Sequence, residues 1–170
     1  ARVKKALAPA PLEPARTAEA TLLREHAGRS ILLVDDDKNI LTSVAMGLEA
    51  EGFTVRTYSD SEEALRELVA KPVDLAVLDI KMPRMDGFEA TRSIREREAE
   101  THTGRIVIIA LTANAIKGDK EKCLKAGMND YLAKPIDLEK FNEVVMHFLR
   151  HKFAAPPIYS ENDAFSKKIH

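Results

Sequence analysis

Hydrophobic positions along this chain follow two alternating rhythms. Continuous apolar runs at Ile31–Val34, Leu75–Leu78 and Ile106–Leu111 read as strands buried on both faces. Between them apolar residues return every three or four positions, as on one face of a helix. Ile40, Leu41, Val44 and Leu48 make the first such face, closed by Gly52. Ala64, Leu65 and Leu68 make the second, capped by Ser59 or Asp60, and Phe88, Thr91, Ile94 and Arg95 the third. Thr54–Tyr58 is β-branched and aromatic but carries Arg56, which predicts a strand near a sheet edge. A fourth helix is expected from about Asn114 to Lys125, with Gly118 inside it and Gly127 as a left-handed cap. Asp130–Leu132 reads as a short fifth strand. Asp137 then caps a last helix that turns Leu138, Phe141, Val144, Val145, Phe148 and Leu149 inward. Five strand–helix alternations predict an α/β fold, a doubly wound parallel sheet of five strands joined by right-handed helical crossovers.

The ends of the chain break this rhythm. Residues 1–29 contain Pro9, Pro11 and Pro14 and read as a linker holding one short helix from Arg16 to His26, stopped at Gly28. Residues 151–170, with Pro156-Pro157, read as a tail, which leaves 30–150 as the folded body. With 170 residues, 45% of them hydrophobic, the chain can bury one core. Aromatics at 5% and no Trp leave that core to aliphatic side chains. The linker holds six Lys/Arg against three Asp/Glu and the tail three against two, so a formal net of −1 leaves the body at −5. An acidic body argues against direct binding of nucleic acid, which needs a basic face. No apolar stretch is long enough to span a bilayer, so no membrane contact is expected of this segment. The single Cys123 fits a reducing, cytoplasmic setting, and a start at Ala1 without Met reads as an excised piece.

Two of the apolar strands end in acid, the first in Asp35, Asp36 and Asp37, the third in Asp79. Carboxylates gathered at one sheet edge repel one another, so such a cluster needs either a cation among them or protons upon them. In open parallel sheets ligands bind outside the carboxyl ends of the strands. Asp35, Asp36, Asp79, Thr112 and Lys134 all fall at those ends. Hard carboxylate oxygens suit Mg²⁺ with several waters retained. Asp79 could then act as a nucleophile towards phosphorus, with Lys134 as a positive charge for a phosphoryl group and Thr112 as a hydroxyl donor to its oxygens. This set describes phosphoryl acceptance rather than acyl or hydride transfer.

Four stretches in order, Ile31-Leu32-Leu33-Val34-Asp35-Asp36-Asp37, Leu78-Asp79-Ile80-Lys81-Met82-Pro83-Arg84-Met85-Asp86-Gly87, Ala110-Leu111-Thr112-Ala113 and Tyr131-Leu132-Ala133-Lys134-Pro135, resemble the receiver domain of two-component response regulators, the chemotaxis-regulator type, over roughly residues 30–150. The resemblance implies a flavodoxin-like sheet in strand order 2-1-3-4-5. It implies Asp79 as phosphoacceptor and Asp35, Asp36 and Asp79 as metal ligands, with the backbone carbonyl of Lys81 completing the shell around Mg²⁺ or Mn²⁺. Thr112 and Tyr131 match the switch pair and Lys134 the phosphate-binding lysine, with a cis bond expected before Pro135. None of these positions is substituted. The side chains of Lys81 and Asn114 would flank the phosphate site and tune its lifetime.

By the same resemblance, phosphorylation draws Thr112 inward and lets Tyr131 rotate. The face built from the fourth helix, fifth strand and fifth helix then changes shape, and dimers can form through it. The implied partners are a histidine kinase or a histidine phosphotransfer protein. The protein would catalyse its own phosphorylation and slow dephosphorylation without turning over a free substrate. Residues from Ala110 to Leu132 look like receivers fused to hybrid histidine kinases, whereas Ile40–Val44 and Thr57-Tyr58 look more like a free-standing regulator. The favoured reading is a hybrid-kinase receiver in a phosphorelay, with kinase activity in a separate domain of a larger, membrane-associated protein. A free-standing single-domain regulator is the alternative.

Two rivals from other classes fit less well. Magnesium phosphatases with an aspartyl nucleophile need a second Asp two residues on, where this chain has Lys81. Dinucleotide-binding oxidoreductases need a glycine-rich turn where it has Asp35-Asp36-Asp37. His147 and His151, four apart, read as a solvated helix end rather than a metal site, and Cys123 as a small helix-face residue.

Overall fold

The computed structural model describes residues 27–113 and 118–153. The expected Arg16–His26 helix, Asn114 and most of the tail lie outside them. Strands β1 (Ser30–Val34), β2 (Thr54–Tyr58), β3 (Leu75–Asp79), β4 (Val107–Thr112) and β5 (Asp130–Ala133) alternate with helices α1 (Lys38–Ala50), α2 (Ser61–Ala70), α3 (Gly87–Thr101), α4 (Asp119–Ala126) and α5 (Leu138–Phe153). All pairings are parallel, in the order β2-β1-β3-β4-β5, the doubly wound arrangement expected from the alternation.

The pleat divides the core in two, because successive strand residues point to opposite faces. Ile31, Leu33, Leu75, Val77, Ile109 and Leu111 point to the face covered by α1 and α5, through Leu41, Val44, Leu48, Phe141, Val145 and Leu149. Leu32, Ala76, Leu78, Ile108 and Ala110 point to the other face, against Ala64, Leu68, Ala90, Ile94 and Cys123 of α2, α3 and α4. The continuous apolar runs of β1, β3 and β4 follow from being buried on both faces, whereas β2 at one edge is half-exposed throughout.

Side chains that satisfy the free N–H groups start most helices. Asp37 accepts from Asn39 N, Asp60 from Glu62 N and Glu63 N, and Asp137 from Glu139 N and Lys140 N. Asp86 and Glu89 form a reciprocal capping box on α3. Gly127 ends α4 at φ 98°, the left-handed conformation expected of it.

Two expectations are corrected. Gly118 is not inside α4: it stands before Asp119 at φ 123°, a value that helices exclude, so the helix begins after it. Leu138 is not part of the core: it stays 40% exposed, its side chain lying over Gly47 of α1 at the start of α5.

Candidate functional site

Strand register assembles the site. Val34 pairs with Leu78, so the next residues, Asp35 and Asp79, stand side by side at the carboxyl edge. Asp79 pairs with Leu111, which leaves Thr112 one step further out. Thr112 pairs with Ala133, and its carbonyl accepts the Lys134 N–H at 2.7 Å. Counted along the pleat, Asp79 points to the α1/α5 side, as Leu75 and Val77 do, and Tyr131 packs on the opposite side with the second core cluster.

Asp35, Asp36 and Asp79 each bring a carboxylate oxygen within 4.8 Å of the others. Asp35 and Asp79 are 0% and 3% exposed, while Asp36 faces solvent. Lys134 Nζ lies 2.7 Å from Asp35 Oδ2 and 3.2 Å from Asp79 Oδ1. Asp35 Oδ1 accepts the Asp37 N–H at 2.9 Å, and the buried Oδ2 is held by the Lys134 ammonium. Three convergent carboxylates with no thiolate or imidazole among them fit a hard divalent cation.

Burial raises the Asp79 carboxyl above its ordinary value, and the neighbouring Asp35 charge raises it further. The Lys134 ammonium and the Lys81 backbone N–H lower it without reversing the shift. Lys134 moves upward as well. Burial opposes its charge, but the hydrogen bond to Asp35 and the fields of Asp79 and Asp35 outweigh burial. A buried acid raised in this way is poised to gain from a cation, which would neutralise the repulsion that the lysine only partly offsets.

Lys81 opens the loop after β3 and touches Asp79 through its backbone N–H. Thr112 is buried, 6% exposed, as the last residue of β4, and Tyr131 is half-buried. Lys134-Pro135 is cis, as expected. His147 and His151 lie on the exposed side of α5, their rings 4.5 Å apart, and among the described residues no metal-capable group of three includes them. Sequence reasoning missed why Gly87 follows Asp86. A Cβ there would lie 2.5 Å from the Asp79 carbonyl oxygen, so α3 can start against β3 only with glycine. The Asp-Gly pair was visible, but its partner across the loop was not.

A response regulator receiver domain model matches residues 31–146. The sensor histidine kinase GacS of Pseudomonas protegens is 37% identical over 132 residues, covering 78% of this chain but 14% of that protein, so the chain spans a small part of it. The solved receiver domain of sensor histidine kinase PA1611 from Pseudomonas aeruginosa PAO1 is 40% identical with a TM-score of 0.64. The match covers 72% of this chain and 98% of that one, which holds a magnesium ion coordinated in its active-site cleft. The Saccharomyces cerevisiae Ssk1 receiver, solved with the histidine phosphotransfer protein Ypd1, gives 25% identity and a TM-score of 0.68, over 71% of this chain and 88% of that chain.

Proposed function

The chain belongs to the response regulator receiver domain family and is a two-component signal-transduction receiver; from that premise we propose that it accepts a phosphoryl group on Asp79. One observation carries this reading: Lys134 Nζ touches both buried acids, Asp35 and Asp79, at the edge where the three carboxylates converge. In the proposed step an Asp79 oxygen attacks phosphorus of a phosphohistidine, the P–N bond breaks and the imidazole departs with its electron pair. An acyl phosphate remains on Asp79.

Receivers of this family bind Mg²⁺ at an acidic site, and here Asp35, Asp36, Asp79 and the Lys81 carbonyl would hold it or Mn²⁺. Bound there, the cation would neutralise the charge that develops on the transferring oxygens. Asp79 supplies the nucleophile, and Lys134 exchanges its Asp79 contact for a phosphoryl oxygen while keeping Asp35. The Thr112 hydroxyl turns to a second phosphoryl oxygen. Tyr131 follows into the space so vacated, and the α4–β5–α5 face shifts between two packings.

The donor is a histidine kinase or a histidine phosphotransfer protein, and the receiver comes from a hybrid kinase acting in a phosphorelay in the cytoplasm. Residues 30–150 form the functional unit, flanked by a linker and a tail, and α4–β5–α5 serves for any dimer. Relatives among sensor kinases and the Ssk1 receiver's pairing with Ypd1 support this choice. No described helix is long and apolar enough to cross a membrane.

Incubation with a small acyl phosphate and Mg²⁺, read by intact mass, tests the acceptor. The wild type should gain one phosphoryl mass and Asp79→Asn none; equal modification of both removes Asp79 from its role. Transfer from a panel of purified kinases and phosphotransfer proteins then separates a hybrid receiver from a free-standing one.

A further inference from the structure

The β5 strand poses a positional problem. It carries Tyr131 and leads into Lys134, yet it is a four-residue edge strand in which Leu132 alone is buried. Register is held firmly where a strand buries a whole face and weakly where it does not. A slip of one residue would move Lys134 by about 3.3 Å and turn it to the other side of the sheet.

At the opposite edge of the sheet a compact polar network grips the start of this strand. Asn129 N–H donates to Ile108 O at 2.7 Å, and Asn129 Oδ1 accepts Ile108 N–H at 2.9 Å. The side chain thus extends the β4–β5 ladder one step below the Ile109–Asp130 pair, doing what a strand carbonyl would do. Arg95 of α3 fixes that amide by donating to Asn129 Oδ1 at 3.1 Å. The same guanidinium donates to Gly127 O at 2.9 Å and Ile106 O at 2.9 Å, so it ties together the end of α4 and the entries to β4 and β5. Glu98 balances its charge at 2.8 Å and also accepts the Ile106 N–H. Arg95 and Glu98 are only 14% and 11% exposed. Gly127 suits this place because its φ of 98° favours glycine, and a Cβ would press on Arg95 Cγ at 3.1 Å.

The geometry points to Arg95 and Asn129 as positioning residues that set the register of β5 and thereby hold Lys134 against Asp35 and Asp79. Neither residue approaches the acids themselves. The clamp acts along the strand, from one edge of the sheet to the other, and its effect on transfer rests on the reading of Asp79 as phosphoacceptor. The acids stand at the carboxyl ends of β1 and β3, outside the clamp, so metal binding and phosphoryl transfer should separate when it is broken.

Asn129→Ala in the full chain should slow phosphorylation by a small acyl phosphate at saturating Mg²⁺ by about tenfold or more, since small misplacements of a catalytic group are costly. Mg²⁺ affinity, read from amide shifts of Asp35 and Asp36, should not fall, because the ligands lie outside the network and withdrawing the Lys134 ammonium from Asp35 and Asp79 removes a charge that competes with the cation. Asn129→Asp, which keeps an acceptor oxygen for Arg95 and Ile108, should restore the rate, and Arg95→Lys should resemble Asn129→Ala in milder form. In a Lys134→Ala background, Asn129→Ala should add no further loss. An unchanged rate in Asn129→Ala, a parallel fall in Mg²⁺ affinity, or an additive loss without Lys134 overturns the clamp. Cross-strand nuclear Overhauser contacts between Thr112 and Ala133 read the register without any phosphorylation. Their survival in Asn129→Ala at wild-type strength also refutes it, whereas a wild type that takes no phosphoryl group refutes the acceptor reading instead.

Discussion

A carboxylate proposed to attack phosphorus has to be ionised, yet Asp79 stands where ionisation is disfavoured. Its raised folded-state value means that the protonated form stabilises the fold. That contribution is fully present below the ordinary carboxylate range, about pH 3.9, and is lost as pH rises through the higher folded value. Asp79→Asn removes the ionisable group, so without divalent cations it should melt at a higher temperature than the wild type near neutral pH. The advantage should vanish in acid, where both proteins are uncharged at this position; thermal melts across that range check it. Added Mg²⁺ should reverse the order by stabilising the wild type more. The phosphorylation rate should likewise fall on the acid side at a pH above the ordinary Asp value, and that limb should move to lower pH as Mg²⁺ is raised. A limb independent of Mg²⁺ would separate the metal from Asp79.

The elements differ in how tightly they are tied to this site. The first residue of α3 lies against β3, where Gly87 N–H donates to Ile80 O at 3.1 Å and its missing Cβ makes room for the Asp79 carbonyl. Gly87→Ala should therefore cost roughly 1–3 kcal/mol of stability by overpacking and weaken Mg²⁺ binding as Asp79 is displaced. Urea unfolding and a metal titration measure the two effects. On the far side, α5 is held by Phe141, Val145 and Leu149, of which Phe141 and Val145 are fully buried. Phe141→Ala should destabilise by about 3–5 kcal/mol through transfer and cavity costs. At pH 7 it should leave Mg²⁺ affinity unchanged in the fraction that stays folded, because Phe141 belongs to the apolar core cluster and supplies no ligand atom.

At the scale of the whole molecule, one sheet shared by two core halves makes its centre the most secure part. Amide exchange should be slowest in β1, β3 and β4, whose hydrophobic residues are buried on both faces, and faster in β5 and α4, which bury little beyond Leu132 and Cys123. Equal protection in β5 and β3 would contradict this ranking. The proposed switching face thus includes the less secure elements β5 and α4, where two packings can be close in free energy.

Much of this was legible in the chain. Local periodicity determined the alternation of strands and helices. Asp60, Asp137 and Gly127 marked helix ends because capping is a local hydrogen-bonding matter, and the acids at Asp35 and Asp79 announced a charge problem wherever they met. The helix expected from about Asn114 failed at Gly118, where a positive φ overrides any apolar period, and Leu138 fitted the inward period yet stays 40% exposed over Gly47. Only the tertiary structure decided that Lys134 reaches both acids, that Gly87 is demanded by a carbonyl eight residues away, and that Arg95 and Asn129 meet across two strands. Those contacts join residues far apart along the backbone, and which of them meet depends on strand order and register, quantities that no single segment encodes.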